Sequence, residues 1–435
     1  MTENLADKKL KIWFFHHYAT PPSSTGLTRP FDFAKNLIKM GHLPTLFVSS
    51  YLHYSNEQLI KNRDLFKKEN SDGVDFIYVR THSAKGNGIN RVINMFDFAI
   101  NLYRVAKKEA DINGKPDVII ASSPHPLTMI VGNFLAKKLG IPCICEIRDL
   151  WPESLVEYGY VKRNSLFADI LYKGEKWIYS KANALIFTMP GGKKYIQDQG
   201  WDNDIDLKKV FNINNGVDIE EFDKNSKTYI KENKYFENKN YKTIVYAGSI
   251  RKVNNLDFIL NTAKILYNKD KYIKFIIYGY GNELERLIER CKKENIDNVV
   301  FMGRVQKKYI PHIISQSTAN ILNAKVDESS NLTKYGQSQN KLFEYLRAGR
   351  PIIQTFTDGF SIINEHDCGF ILEKKDPKLL ADIILKNIYN DEIMNKKAIN
   401  AKKASETYSY ENHAKKLVEI IDKVIKDYLK EENYE

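Results

Sequence analysis

Basic and acidic side chains follow strand-like segments at several points in the sequence. Lys252 comes soon after the strand-like run 243–247, and Lys341 lies at the start of a helical segment with Glu344 three residues later on the same helix face. A nucleoside diphosphate is bound by cations, by free backbone N–H groups and by a carboxylate that accepts from ribose hydroxyls. These residue types, in this order, predict a diphosphate site in the second half of the chain.

Each of these residues also has a purely structural interpretation. Gly248 and Gly279 would serve in tight turns, Lys252 and Lys341 as surface lysines, and Glu344 as an exposed helical residue. Taken singly, each residue favours the structural interpretation. Taken together, they favour a shared ligand.

Asp149 is the sharpest candidate for acid–base chemistry. It follows the apolar run 141–147, with Arg148 beside it and Trp151 after it, and could orient or deprotonate a hydroxyl group. An ion pair near Arg148 or a helix N-cap explains it equally well. His125 also follows a strand-like run and ranks below Asp149, because a lone histidine there is more often structural.

Strand-like and helix-like segments alternate in two series, which predicts parallel sheets and an α/β fold. The first series has strands at 11–17, 45–49, 117–122, 141–147, 185–189 and 210–213, and helices at 30–40 and 127–139. The second has strands at 243–247, 274–278, 299–302, 320–323 and 351–354, and helices at 256–266, 283–293 and 340–348. The charged segment 219–241 between them predicts an exposed linker.

Length and composition agree with two domains. A chain of 435 residues with 43% hydrophobic residues exceeds one ordinary core. The net charge of +12 comes from scattered lysines, so we expect no nucleic-acid binding, while a weak preference for anionic lipid remains open. The polar N-terminus and the short apolar runs predict a cytoplasmic protein without a membrane span.

Two patterns that suggest metal or disulfide chemistry have plainer interpretations. Cys143 and Cys145 alternate within a strand-like run and predict core packing. The acidic segment 202–206 has a D-x-D spacing but lacks a flanking apolar strand, so we interpret it as a solvated turn. We therefore expect no metal and no cofactor.

Five segments together resemble the retaining family-4 glycosyltransferases of the GT-B fold, particularly O-antigen and capsule sugar transferases such as N-acetylfucosaminyl transferases. They are 16–22 (HHYATPP) with Arg29, 146–153 (EIRDLWPE), 215–218 (NGVD), 246–252 (YAGSIRK) and 340–351 (NKLFEYLRAGRP). They occur in the family's order along nearly the whole chain.

The resemblance implies two Rossmann-like, doubly wound domains that face each other across a cleft. Residues 1–220 would bind the acceptor, with helix 411–430 packed back onto them, and residues 242–410 would bind the nucleotide-sugar. The implied donor-binding residues are Gly26, Gly248, Arg251, Lys252, Tyr280, Arg304, Val305, Lys341, Leu342 and Glu344. The implied acceptor-binding residues are His17, Arg29, His125 and Arg148, and the implied catalytic residues are Asp149, Lys252 and Glu344.

The implied reaction transfers a hexose-type sugar, with retention, from a UDP-linked donor to a hydroxyl of a saccharide acceptor. The acceptor would be lipid-linked and met at the inner membrane face during surface polysaccharide synthesis. The stretch 87–108 would then contact an anionic membrane, or would be an ordinary amphipathic helix packed on the sheet.

The sequence departs from the family pattern at two positions. Gly336 stands where many members carry the first of two glutamates, and Arg251 stands where a glycine usually precedes Lys252. These departures leave two rival functions open, a nucleotide-sugar epimerase and a non-catalytic nucleotide-sugar-binding scaffold.

Overall fold

A computed structural model describes residues 8–24, 26–84, 88–325 and 331–432 of the chain. The chain divides into two compact units. The N-terminal unit runs to Asn214 and takes in the segment from Tyr410 onward, and the C-terminal unit is Asn215–Ser409. Among the described helices, none combines the length and the apolar character needed to cross a membrane.

The N-terminal unit is built on a mostly parallel sheet. Its strands are β1 (Lys11–Phe15), β2 (Leu43–Ser49), β3 (Tyr51–Leu52), β4 (Glu57–Gln58), β5 (Phe66–Ser71), β6 (Val74–Val79), β7 (Val118–Ser122), β8 (Cys143–Ile147), β9 (Ala184–Phe187) and β10 (Val210–Asn212). The order in the sheet is β10-β9-β8-β7-β1-β2-β6-β5, with only β5 antiparallel to its neighbour in this described sheet, and β3 pairs with β4 separately.

Helices cover this sheet. They are α1 (Arg29–Lys39), α2 (Ile89–Asn113), α3 (Pro126–Leu139), α4 (Trp151–Glu157), α5 (Leu166–Lys181) and α6 (Gly192–Asp198). Pro30 occupies the first turn of α1, and Gly140 ends α3 in a left-handed conformation that glycine adopts without strain.

The C-terminal unit has an all-parallel sheet among its described residues. Its strands are β11 (Lys242–Ala247), β12 (Ile273–Tyr278), β13 (Val299–Gly303), β14 (Ala319–Leu322), β15 (Ile352–Gln354) and β16 (Gly369–Ile371), in the order β13-β12-β11-β14-β15-β16. Ile244 and Tyr246 pack in one apolar core, and Val245 and Ala247 pack in another. Because alternate strand residues face opposite sides, both faces of this sheet are buried.

The helices of the C-terminal unit begin before its first strand. They are α7 (Ile219–Thr228), α8 (Lys234–Glu237), α9 (Leu256–Lys269), α10 (Leu284–Glu294), α11 (Ile310–Gln316), α12 (Asn331–Lys334), α13 (Asn340–Arg347), α14 (Ile362–Glu365), α15 (Pro377–Asn387) and α16 (Asp391–Thr407). Residues 219–241, which we predict as a linker from their composition, therefore contain two helices. Asp218 caps α7 and Phe222 buries its apolar side chain, so two local signals outweigh the polar composition.

The last helix, α17 (Tyr410–Glu432), belongs to the N-terminal unit. Ala414, Leu417 and Ile421 share the apolar core of that unit with Leu37 of α1. The rings of Tyr410 and Phe33 lie edge to face at 5.7 Å. The end of the chain thus packs against the first helix of the fold.

The strand orders place a topological switch point in each sheet. In the N-terminal unit it lies between β1 and β7, and in the C-terminal unit between β11 and β14, because the chain winds in opposite directions from these pairs. Open α/β sheets bind ligands outside the carboxyl ends of their strands at such points. The predicted α/β class with two Rossmann-like domains is confirmed.

Candidate active site

Two glycine-bearing loops run side by side at the carboxyl edge of the C-terminal sheet. Gly248 donates its N–H to the carbonyl of Tyr278, 3.0 Å away. A Cβ at Gly279 would lie 1.8 Å from the Gly248 carbonyl oxygen, and one at Gly281 would lie 2.0 Å from that of Ile250. Glycine is therefore required by close backbone approach, which is more specific than the tight turns considered from sequence.

Lys341 lies at the start of α13 and points to the end of β11. Its Nζ donates to the Tyr246 hydroxyl at 3.2 Å and lies 4.6 Å from the centre of that ring. A Cβ at Gly248 would lie 3.1 Å from the same Nζ. Burial lowers the pKa of Lys341 to about 8, and the charge of Glu344 opposes this shift. The lysine is poorly hydrated and well placed to meet an anion.

Glu344 lies one helical turn after Lys341. Its half-buried carboxylate makes no hydrogen bond in the described part of the chain. Burial raises its pKa, an effect opposed first by Lys307 and more weakly by Lys341, while Glu221 adds to it. A carboxylate with free acceptor capacity can accept from hydroxyl donors such as those of ribose.

Arg251 and Lys252 lie in a neighbouring pocket rather than against Lys341. This pocket, of ≈ 390 Å³, also contains Lys325 and the first turn of α9. The Arg286 guanidinium in its wall pairs with Asp257, whereas no ion pair engages Arg251, Lys252 or Lys325 in the described residues. Unpaired cations beside a helix N-terminus form an anion-binding arrangement.

The remaining predicted donor residues divide into exposed and buried positions. Tyr280 is largely exposed, and the Gly279 N–H donates to the Gly303 carbonyl, which brings its loop beside that of Arg304 and Val305. Leu342 is buried in the core, and its N–H donates to the Gln339 carbonyl. Neither its side chain nor its N–H is therefore available to a ligand.

In the N-terminal unit, Arg29 is committed to an internal network. Its buried guanidinium pairs with Glu146 at 2.8 Å and donates to the carbonyl groups of Ile213 and Asn214. Ser122 donates to the other Glu146 oxygen, and the pKa of Glu146 falls to about 2 because Arg29 and Arg148 outweigh its burial. Arg29 thus ties β8 to the end of β10.

Gly26 packs against its own loop. A Cβ there would lie 2.4 Å from the Thr20 hydroxyl oxygen, so the loop closes on Thr20 only because residue 26 is glycine. Thr25, quoted beside it in the sequence motif, lies outside the described residues. The predicted contact of Gly26 with phosphate stays a prediction.

A chain of buried hydrogen bonds defines the switch point of the N-terminal sheet. The Asn94 amide donates to the His82 carbonyl at 2.5 Å, which turns its Oδ1 toward His17 Nε2 at 2.7 Å. His17 Nε2 must then carry a proton, so its Nδ1 accepts from His125 Nε2 at 2.6 Å. His125 Nδ1 is left as an acceptor and has no partner in the described part of the chain.

His17 and His125, the two histidines of this hydrogen-bonded series, both stay neutral. Burial lowers the pKa of His125 to about 3, with a further contribution from the charge of Arg91, and holds the pKa of His17 well below its ordinary value. Neutral His125 therefore keeps a lone pair without a partner among the described residues on its buried Nδ1, beyond the carboxyl end of β7. It can accept a hydrogen bond from a hydroxyl group.

Arg148 and Asp149 follow β8 at the same edge. Arg148 donates to His16 Nε2 at 2.8 Å, and its N–H donates to the Ser123 hydroxyl. Asp149 does not cap α4, because Leu150 holds the cap position of that helix. Among the described residues, Asp149 also makes no ion pair. Its side chain reaches solvent, yet the surrounding protein weakens its hydration and raises its pKa, which Arg148 opposes. Both structural interpretations of Asp149 lose support.

Gly336, one of the two departures from the family pattern, and the acidic turn 202–206 both have local structural explanations. Gly336 has a φ of 85°, a left-handed conformation that disfavours a glutamate at this point. Asp204 pairs with Lys176, and Asp206 accepts from the Lys208 N–H. Within the described residues, no group of three or more His, Cys, Asp or Glu side chains is placed to hold a metal ion.

Sequence reasoning missed four residues that the structure brings to these sites. Glu146 anchors Arg29, Asn94 orients the histidine chain, Lys307 influences Glu344, and Lys325 joins the cation pocket. Lys307 and Lys325 follow strands at their carboxyl ends, a position that could have identified them. Asn94 sits within a helix and offers no such signal.

Family comparisons cover both units. Residues 31–206 match the family described as "Glycosyl transferase 4-like domain", and residues 228–405 match "Glycosyl transferases group 1". A poly(ribitol-phosphate) alpha-N-acetylglucosaminyltransferase of Staphylococcus aureus (strain COL) is 22% identical over 226 residues. That match covers 50% of this chain and 40% of the relative, so the chain spans less than half of that protein's length.

Solved structures show the same fold at low sequence identity. Sucrose-phosphate synthase (tll1590) from Thermosynechococcus elongatus has a TM-score of 0.69 at 14% identity, covering 96% of this chain and 100% of that one. Anabaena HepE in complex with UDP and glucose has a TM-score of 0.64 at 12% identity, covering 95% and 99%. WaaG, a glycosyltransferase involved in lipopolysaccharide biosynthesis, has a TM-score of 0.63 at 13% identity, covering 94% and 99%. These likenesses establish the GT-B fold.

Proposed function

The chain belongs to the GT4-type glycosyltransferases, and from this we propose that it transfers a hexose-type sugar from a nucleoside diphosphate donor to a hydroxyl of a saccharide acceptor. One observation carries the proposal. At the carboxyl edge of the C-terminal sheet, a desolvated Lys341 lies beside a carboxylate, Glu344, that retains its acceptor capacity. Cation and carboxylate match the two ends of a ribose diphosphate.

We propose that the donor is UDP-linked. The neighbouring HepE structure holds UDP, and the same fold in this chain offers exposed Tyr280 with Arg304 and Val305 beside a site for the base. Lys341 and the pocket of Arg251 and Lys252 supply the charge that a diphosphate needs. No metal is required by this scheme, because side-chain cations and helix N-termini balance the phosphate charge.

The proposed reaction breaks the bond between the anomeric carbon and the diphosphate oxygen. The acceptor hydroxyl oxygen forms a new bond to that carbon, and its proton passes to the departing phosphate oxygen or to a nearby base. Negative charge grows on the diphosphate, so cations fixed in advance stabilise the transition state more than the ground state. Retention of the anomeric configuration is proposed from the family alone.

The acceptor is proposed to bind the N-terminal unit. Neutral His125 can accept from an acceptor or sugar hydroxyl, and Asp149 is free to orient one. We propose a lipid-linked saccharide, met at the inner membrane face during synthesis of O-antigen or capsule polysaccharide. The lipopolysaccharide role stated for WaaG supports this pathway only by analogy of fold.

The experiment is a transfer assay with a panel of nucleotide-sugars and lipid-linked acceptors, after a donor screen by thermal stabilisation. Glu344→Ala and Lys252→Ala should each lower kcat/KM by about 100-fold, equivalent to about 3 kcal/mol of lost transition-state stabilisation. Lys264→Ala is a matched control, because Lys264 is an exposed lysine of α9 that pairs with Glu294. Near-normal turnover and donor affinity in both site variants would overturn the assignment.

Asp149→Asn separates acceptor chemistry from donor binding. The variant should lower kcat while leaving the dissociation constant of UDP unchanged, since Asp149 belongs to the N-terminal unit. An unchanged kcat would remove Asp149 from the catalytic residues.

Incubation with donor alone distinguishes the rival functions. A transferase leaves the donor sugar's configuration intact and releases nucleotide only when acceptor is added. A changed sugar without acceptor would identify an epimerase. Donor binding without any acceptor-dependent release of nucleotide would identify a scaffold.

A further inference from the structure

Helix α2 has two apolar faces. One face is buried against the sheet through Phe98, Leu102 and Val105. The other carries Ile89, Val92, Ile93, Phe96 and Ile100, which are all exposed and are related by steps of three or four residues, as on one helix face. A surface helix normally presents polar residues on its outer face, so this second apolar face requires an explanation. The first residue of the predicted stretch 87–108, Asn87, lies outside the described residues.

The exposed apolar surface continues across two further helices. A shallow pocket of ≈ 750 Å³ between α2 and α3 is lined by Ile100, Val131 and Phe134. The ring of Phe134 lies 5.7 Å from that of Trp177 on α5, where Ile170 is exposed two turns earlier. We call this continuous surface of α2, α3 and α5 the apolar patch. Contiguous apolar patches mark interaction sites.

Cations border the apolar patch. Arg104, Lys137 and Lys138 line the pocket, and no carboxylate is among its lining residues in the described chain. All three side chains are exposed, and none forms an ion pair among the described residues; Lys138 donates to the Tyr103 hydroxyl. The pocket at the centre of the patch is therefore apolar with a cationic border, although Asp169 is exposed beside Ile170 on α5. Such a pocket is complementary to a surface that is apolar inside and anionic at its boundary.

We propose that the apolar patch docks the protein on an anionic lipid bilayer, with α2 lying in the interface. Amphipathic helices bind in this way, with apolar side chains among the acyl chains and cations at the headgroups. A second copy of the chain fits less well, because a two-fold interface would bring the pocket cations of both copies into one surface, with no carboxylate of the pocket lining to pair with them. The inference deepens the proposed function, since a lipid-linked acceptor would be met there, but its test needs no acceptor.

The test is flotation of the full-length protein with vesicles of phosphatidylcholine alone or with added phosphatidylglycerol. Binding should occur to the anionic vesicles and should weaken on raising NaCl, because salt screens the headgroup charge. The double variant Ile100→Asp/Phe134→Asp should lower partitioning at least about tenfold. Both residues are more than half exposed, at 52% and 57%, so the fold should tolerate the change.

Ile399→Asp is the matched control. Ile399 is 69% exposed on α16 of the C-terminal unit, so the same change in a different place should leave vesicle binding intact. UDP-induced thermal stabilisation should be the same in all these proteins. If UDP fails to stabilise the unmodified protein although that protein binds vesicles, the result counts against the proposed function and not against the docking surface.

The cationic rim is tested separately. Arg104→Gln/Lys137→Gln/Lys138→Gln should remove most of the preference for anionic vesicles, at about fivefold per cation. Equal binding of anionic vesicles by the Ile100→Asp/Phe134→Asp double variant and by the unmodified protein would overturn the proposal. So would failure of the unmodified protein to float, or a dimer in sedimentation that Phe134→Asp converts to a monomer.

Discussion

The affinity for UDP should depend on pH through Lys341. Burial lowers the pKa of this lysine from 10.5 to about 8 in the unliganded protein. At pH 7 about nine-tenths of the molecules carry the charge, and at pH 9.5 only about 3% do. If bound diphosphate keeps the lysine protonated, the dissociation constant should rise about thirtyfold over this range, which is about 2 kcal/mol.

Isothermal titration calorimetry of UDP between pH 7 and 9.5 measures this effect. Lys341→Arg is the critical comparison, because arginine stays charged throughout and every other titrating group of protein and ligand is unchanged. Subtracting its profile removes any titration of the ligand. Lys341→Met should bind UDP weakly at every pH and lose the lysine-dependent component.

Parallel profiles for the unmodified protein and Lys341→Arg would refute the reasoning. They would mean that Lys341 keeps an ordinary pKa or lies away from the diphosphate. A steeper loss in the unmodified protein alone supports both its desolvation and its contact with the ligand.

Three further predictions concern stability and positioning. Burial raises the pKa of Glu175 from 4.5 to about 7, so between these pH values the native state binds a proton that the unfolded state has lost, and the free energy of unfolding falls as pH rises. Glu175→Gln should remove about 1–3 kcal/mol of that fall, measured by urea unfolding at pH 5 and pH 8. Gly279→Ala should cost about 1–3 kcal/mol of stability and weaken UDP binding, because its Cβ would meet a carbonyl oxygen. Gly174→Ala, in the interior of α5, meets nothing within 4 Å and should instead stabilise the protein by about 0.5–1 kcal/mol. Asn94→Leu should release the His125 tautomer in ¹⁵N NMR and lower kcat about tenfold without changing UDP affinity, and an unshifted tautomer would refute the role.

Much of the fold and the placement of the donor loops could be predicted from sequence. Alternating strands and helices imply parallel sheets, and parallel strands bring their carboxyl ends to one edge. Gly248 and Gly279 are far apart in the chain, but each directly follows a strand, so their convergence follows from topology. The close contact of Lys341 with Tyr246 depends on side-chain packing and could not be predicted.

Other features depend on partners more than 70 residues away. His17 and Asn94 lie 77 residues apart and His17 and His125 lie 108 apart, so no local pattern indicates their bonds. The ion pair of Arg29 with Glu146 spans 117 residues, and the sequence offered Arg29 as an acceptor-binding residue instead. Local composition also misled in 219–241, where caps and one buried aromatic residue fix helices in a Lys- and Asn-rich segment.

Hydrogen–deuterium exchange with and without UDP tests the central claim most directly. The claim is that the carboxyl edge of the C-terminal sheet holds the nucleoside diphosphate. Exchange should slow in the loops 248–252, 279–281 and 303–305 and at the start of α13, because ligand binding stabilises these backbone hydrogen bonds. Unchanged exchange in all four segments at saturating UDP would contradict the claim.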